Sequence, residues 1–180
     1  MYISIQKKKE NIAEYILYMW QVEDMIRANK LDIHLITTHI IDQFQLDEEK
    51  KRVVVQWYQD LIDMMRAENV VEKGHLQINN NTIIDLTEVH VFLVNSKDPL
   101  YGGFFFKAYP IIQELKTRQN STIENDLEVC FSFLYGVLLL KIQQKEISKE
   151  TTLAIQSITN LLALLAVKYK DYKEGKLTLE

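Results

Sequence analysis

The chain has 180 residues, 21 Lys and Arg against 25 Asp and Glu, and 47% hydrophobic residues. This composition excludes disordered and fibrous classes and is enough for an unaided core. A single cysteine, Cys130, excludes an intrachain disulfide, and the Met1-Tyr-Ile-Ser-Ile-Gln-Lys-Lys-Lys run has no apolar segment after its basic residues, so a cytoplasmic protein is expected.

Five Gly and two Pro leave few places to break the chain, and the long amphipathic stretches between them predict an all-α fold. The expectation is one domain over residues 1–180, bundle-like, with six or seven helices and a C-terminal antiparallel helix pair. Between Lys9 and Arg27, Ile12, Tyr15, Ile16, Met19, Trp20 and Ile26 recur at helical spacing opposite Glu10, Glu14 and Gln21, with Asn29 as the stop. Asp32 is the expected N-cap of a short helix on which Ile33, Ile36, Ile40 and Phe44 line up. Asp47, Glu48 and Glu49 place negative charge at the start of the next helix, whose stripe of Val54, Trp57, Tyr58, Leu61, Ile62 and Met65 runs toward Glu72 before Gly74.

From His75 to Asn95 the signals compete. Asn79-Asn80-Asn81 resembles a turn, and Val89, Val91 and Val94 favour strands, but Leu76, Ile83, Leu86, His90 and Leu93 keep one helical phase. A helix is predicted, beginning either before the Asn run or at Thr82, where Thr82-x-x-Asp85 is a capping signature. Asp98-Pro99 starts a further helix, with weakened first turns at Gly102-Gly103 and a kink or break near Pro110. Ser121-Thr-Ile-Glu124 reads as the capping box of a central apolar helix, in which Gly136 calls for close approach of a neighbouring backbone. Ser148 caps the last helix and Gly175 ends it. The uncharged stretches of these two helices, 12 residues from Val129 to Leu140 and 17 from Thr151 to Val167, fall short of the roughly 20 that a membrane span needs. They read as buried helices, the two forming the antiparallel pair.

The chemistry-bearing residues form no catalytic constellation. His34 and His39 are five apart, about 140° around a helix, and cannot share one face. Glu72 and His75 have the Glu-x-x-His spacing of helical di-metal centres, but such centres use the motif twice, and here it occurs once with Gly74 inside it. His90 lies on an apolar stripe, the place of a hydrogen-bonded core residue. Burial on an apolar helix is expected to raise the thiol pKa of Cys130. Nucleophile-elbow, dinucleotide and phosphate-loop patterns do not occur, so no catalytic residue, metal or cofactor is expected. The most unusual composition is Gly102-Gly103-Phe104-Phe105-Phe106, flanked by Tyr101 and Tyr109. Three consecutive rings cannot all face one core, so at least one is expected at the surface. Residues 1–90 carry 10 basic against 15 acidic residues and residues 91–180 carry 11 against 10, which argues against nucleic acid as a partner.

Leu134-Tyr-Gly-Val-Leu-Leu-Leu-Lys141, Lys145-Glu-Ile-Ser148 and Leu161-Leu-Ala-Leu-Leu-Ala-Val-Lys-Tyr-Lys170 together resemble a family of small bacterial helical proteins classified as domain of unknown function 4924. The resemblance spans the whole chain. It implies a helical fold and no assigned activity, so it carries over no site residue. Two functional readings are expected from the residues themselves. The first is a noncatalytic interaction or oligomerisation module with a homodimer or another protein as partner. The alternative is a small-molecule-binding helical domain or enzyme with a pocket near the Pro110 kink, where His90, Tyr101, Tyr109 and His75 would be the polar contacts.

Overall fold

Helical periodicity is realised along most of the described chain in the computed structural model, which describes residues 1–118 and 125–179. These residues form α1 (Tyr2–Glu10), α2 (Ile12–Ala28), α3 (Ile33–His39), a 3-10 turn (Ile41–Phe44), α4 (Glu48–Ala67), α5 (Gln77–Asn95), α6 (Pro99–Arg118), α7 (Asp126–Ile142) and α8 (Lys149–Lys173). The fold is all-α, and no strand occurs among the described residues. Eight α-helices exceed the predicted six or seven because the N-terminal stretch forms a helix of its own. It is cut from α2 at Asn11, whose side-chain oxygen accepts from the N–H groups of Ala13 and Glu14. Those are donors that a helix start leaves without intrahelical partners.

The chain divides into two compact units, each discontinuous in sequence: residues 1–6 with 18–81, and residues 7–17 with 82–180. In the first unit α3 packs on α4. The Asp32 carboxylate caps α3 as predicted, by accepting from His34 and Leu35, and α4 starts where the Asp47-Glu48-Glu49 charge placed it, with Asp47 as its N-cap accepting from Lys50. The α4 helix ends at Ala67, short of the predicted run toward Glu72, because Asn69 adopts a left-handed conformation with φ 58°. The segment beyond it is held by tertiary contacts. Arg27 donates to the carbonyls of Val70 and Gly74, and the Glu68 carboxylate accepts from the N–H of Gln77.

The Asn run is helical. Helix α5 starts at Gln77 because each Asn amide finds a partner: Asn79 donates to Glu23, Asn80 to the His75 carbonyl, and Asn81 accepts from Gln77. Thr82 and Asp85 therefore lie inside the helix and do not cap it, and Asp85 pairs with Lys173 at 3.0 Å.

In the second unit, the Asp98 carboxylate accepts from the N–H of Tyr101 and caps α6. Helix α6 then runs unbroken through Gly102, Gly103 and Pro110. The predicted break is absent, so loss of the single N–H at Pro110 is absorbed within the helix. The antiparallel partner of α8 is α6; α7, the partner expected for it, packs on α6 instead. The direction follows from two ion pairs: Lys168 of α8 meets Asp98 at 2.6 Å, and Arg118 at the end of α6 approaches Glu150 at 3.7 Å.

Helix α7 is buried along its first half at Leu127, Val129, Cys130 and Phe131, whereas Leu139, Leu140 and Ile142 near its end are exposed. Among the described residues a Cβ added at Gly136 would meet nothing within 4 Å, and none of them makes the expected close backbone approach. The predicted cap at Ser121–Glu124 lies outside the described residues; the N-cap observed is Asn125, which accepts from Leu127 and Glu128. Ser148 caps α8 by accepting from Thr151, and Gly175 follows its end with φ 72°. Helix α8 is long and apolar enough to cross a membrane by length and composition, with a mean hydropathy of 1.3 in its most apolar window. Its buried residues, Ile158, Leu161, Leu162, Leu165 and Tyr169, fall on one stripe, the pattern of an amphipathic packed helix.

Candidate functional site

The four histidines separate by environment. His34 and His39 are exposed on α3, and His39 Nδ1 lies 2.9 Å from the Asn29 side-chain oxygen. His75 and His90 are each held through Nδ1 by a single short hydrogen bond, one to a carboxylate and one to a phenol.

His90 is buried on α5, with Nδ1 2.6 Å from the Tyr101 hydroxyl and the rings edge-on at 5.7 Å between centroids. Phe105 lies edge-on to His90 at 5.0 Å and to Tyr109 at 5.4 Å, so three of the four predicted contact residues join through one aromatic chain on α5 and α6. Burial lowers the His90 pKa from its ordinary 6.5, opposed by the nearby charge of Asp126. Burial raises the Tyr101 pKa, aided by Cys130 and Asp126. Both groups are therefore neutral near pH 7. Transferring a proton from Tyr101 to His90 would create two charges where the surroundings disfavour each. The pair is suited to fixing α6 on α5. The Cys130 thiol is pushed up to about 12, mainly by burial, which agrees with its expected inertness.

His75 belongs to a different group. Its Nδ1 lies 2.6 Å from Oε2 of Glu23, a fully buried residue in the middle of α2. Oε1 of Glu23 accepts from the Leu76 N–H at 2.9 Å and the Asn79 amide at 2.7 Å. The carboxylate thus satisfies donors at the start of α5 and at the same time accepts a hydrogen bond from the imidazole Nδ1–H. Trp20, one turn before Glu23, stacks flush on the His75 ring at 3.9 Å and 7°. Gly74, with φ 88°, supplies the left-handed residue that turns the chain into this position, and its carbonyl is held by Arg27. The His75 side chain is 29% exposed.

The structure thus brings His90, Tyr101 and Tyr109 together and sets His75 in another group. The carboxylate beside His75 is Glu23 and not the sequence neighbour Glu72. Among the described residues no group of three or more His, Cys, Asp or Glu side chains is placed to hold a metal ion. Sequence reasoning missed Glu23, although a signal was present: it lies four residues after Met19 and three before Ile26, in phase with the apolar stripe of α2. A carboxylate at such a position requires buried donors.

The surface of α6 carries the exposed ring expected from the Phe run. Phe106 is 80% exposed, with Leu100 at 59% and Tyr109 at 46% on the same helix. An open groove of about 210 Å³ lies at the opposite end of α6, lined by Ile111, Leu115, Arg118, Glu150 and Leu153 among others.

No curated protein and no solved structure matches this chain. The sequence pattern that defines the family described as Domain of unknown function (DUF4924) matches residues 1–176, and the chain belongs to that family.

Proposed function

We propose that the protein is a noncatalytic cytoplasmic interaction module that self-associates or binds a protein partner through the outer face of α6. The observation that carries this reading is Phe106, left 80% exposed within a regular helix between Leu100 and Tyr109. Burying one such aromatic side chain on association is worth about 1.5–3 kcal/mol, and Phe is enriched at protein interfaces relative to the rest of the surface. The neutral His90–Tyr101 pair beneath this helix favours a structural over a catalytic role for the neighbouring polar groups.

The alternative, a small-molecule site beside Pro110, draws support from the groove at Ile111 and Leu115. At about 210 Å³ that groove is smaller than the roughly 300–1,000 Å³ of ligand sites, so the interaction reading is the stronger.

Native mass spectrometry of the full chain tests the choice. A dimer that becomes monomeric in Phe106→Asp supports the module, whereas a wild-type monomer carrying a stoichiometric organic adduct supports the pocket.

A further inference from the structure

Three surfaces stand outside the proposed function: the cationic groove around Lys8, Lys9 and Lys170, the aromatic groove around Tyr18, Phe44 and Tyr58, and the Glu23–His75 pair. The first also contains Glu10 and Glu174, which oppose anion binding, and nothing in the second selects an occupant. The third is built. A fully buried carboxylate holds Nδ1–H, a stacked indole fixes the ring plane, and the imidazole remains part exposed.

The carboxylate fixes the tautomer. An ionised Glu23 can only accept, so in the neutral ring the proton sits on Nδ1 and the lone pair on Nε2. Among the described residues Nε2 has no hydrogen-bond partner, and the side chain that carries it is 29% exposed. An imidazole oriented in this way can serve as a metal ligand, a general base or a nucleophile. A metal site needs further donors, which the described residues do not group together. A general base needs a substrate cavity, and the grooves described above are lined by other residues. A nucleophile that accepts a hydrophilic group at the surface needs neither.

We propose that His75 is a phosphoryl-acceptor site, taking a phosphoryl group on Nε2 from a donor of the phosphoramidate or acyl phosphate class. With phosphoramidate, the Nε2 lone pair attacks phosphorus, the P–N bond breaks, and its electron pair leaves with ammonia. The imidazole keeps its Nδ1 proton and becomes a cation, whose charge is compensated by the Glu23 carboxylate at 2.6 Å. The phosphoryl group remains in solvent, where its own charge is hydrated. This inference is independent of the α6 interface, since its residues all belong to the unit of residues 1–6 and 18–81.

Exposure alone gives the opposite ranking, because His34 and His39 are more exposed than His75 and lack a carboxylate partner. The test incubates the full chain with potassium phosphoramidate and follows each histidine-containing peptide by mass spectrometry under conditions that preserve phosphohistidine. Labelling of His75 ahead of His34 and His39 is expected, falling roughly tenfold or more in Glu23→Gln. In that variant the amide oxygen takes the place that faces Leu76 and Asn79. Its NH2 group then faces Nδ1, which moves the ring proton to Nε2 and removes the lone pair. Labelling of His34 or His39 first, no labelled histidine, or an unchanged His75 rate in a folded Glu23→Gln would overturn the proposal. Should Glu23→Gln fail to fold, the ranking of histidines in the wild-type protein decides alone.

Discussion

His75 and His90 make the same bond with opposite consequences. Each is fixed through Nδ1 at 2.6 Å, but the partner of His75 is a carboxylate and that of His90 a phenol. The carboxylate carries charge into the interior, and its three hydrogen bonds offset the desolvation that burial imposes. The phenol brings no charge, and around His90 burial drives both partners toward their neutral forms. One imidazole is polarised and reaches solvent, while the other is neutral and enclosed. The distance of a histidine contact therefore says little about its chemistry until the charge and exposure of the partner are known.

The largest effect that would sharpen this contrast is loss of the carboxylate. Glu23→Ala leaves the Leu76 N–H and the Asn79 amide without their acceptor, and a destabilisation of about 3–5 kcal/mol is expected in urea unfolding. A loss below about 1 kcal/mol would show that Glu23 contributes little beyond what its own burial costs. Tyr101→Phe removes a neutral hydrogen bond and leaves His90 Nδ1 buried without it, so a smaller loss of about 1–3 kcal/mol should appear. If the two variants cost the same, partner charge does not set the ranking.

The enclosed histidine also makes a pH prediction. Its folded pKa lies below the ordinary 6.5, so on acidification the unfolded chain takes up a proton that the native state resists. Stability from this group is complete above about pH 6.5 and declines as pH falls through it. The melting temperature of the wild-type protein should fall more between pH 7 and pH 5 than that of His90→Gln; parallel falls would remove His90 from the account.

The smallest effect has the opposite sign. Because a Cβ at Gly136 meets open space within α7, Gly136→Ala should stabilise by about 0.5–1 kcal/mol through helix propensity alone. A destabilised variant would mean that a close contact does exist at that position.

Much of the fold was legible in sequence because its causes are local. Asp32, Asp47 and Ser148 cap the helices they precede, since a side-chain oxygen two or three residues before a free N–H needs no information from elsewhere. The stripe of Ile12, Ile16, Met19 and Trp20 is buried as its spacing requires. The surface ring in the Phe run was likewise foreseeable, because a helix cannot turn three consecutive residues to one side. The start of α5 was not. Its Asn residues favour turns locally, and the partner that buries the Asn79 amide in the helix, Glu23, lies 56 residues away in sequence.

The candidate sites divide along the same line. The burial of His90 followed from its helical phase, but its partner Tyr101, eleven residues away, and the neutrality of the pair depend on how α5 and α6 pack. The pairing of His75 with Glu23 spans 52 residues, and the local Glu-x-x-His spacing pointed to the wrong carboxylate. The sequence by itself determined that this chain is helical, where most of its helices begin and which faces they bury, because periodicity and capping act within a few residues. The tertiary structure decided which helix pairs with α8 and which group orients each histidine, because those depend on atoms that only packing brings within 3 Å of one another.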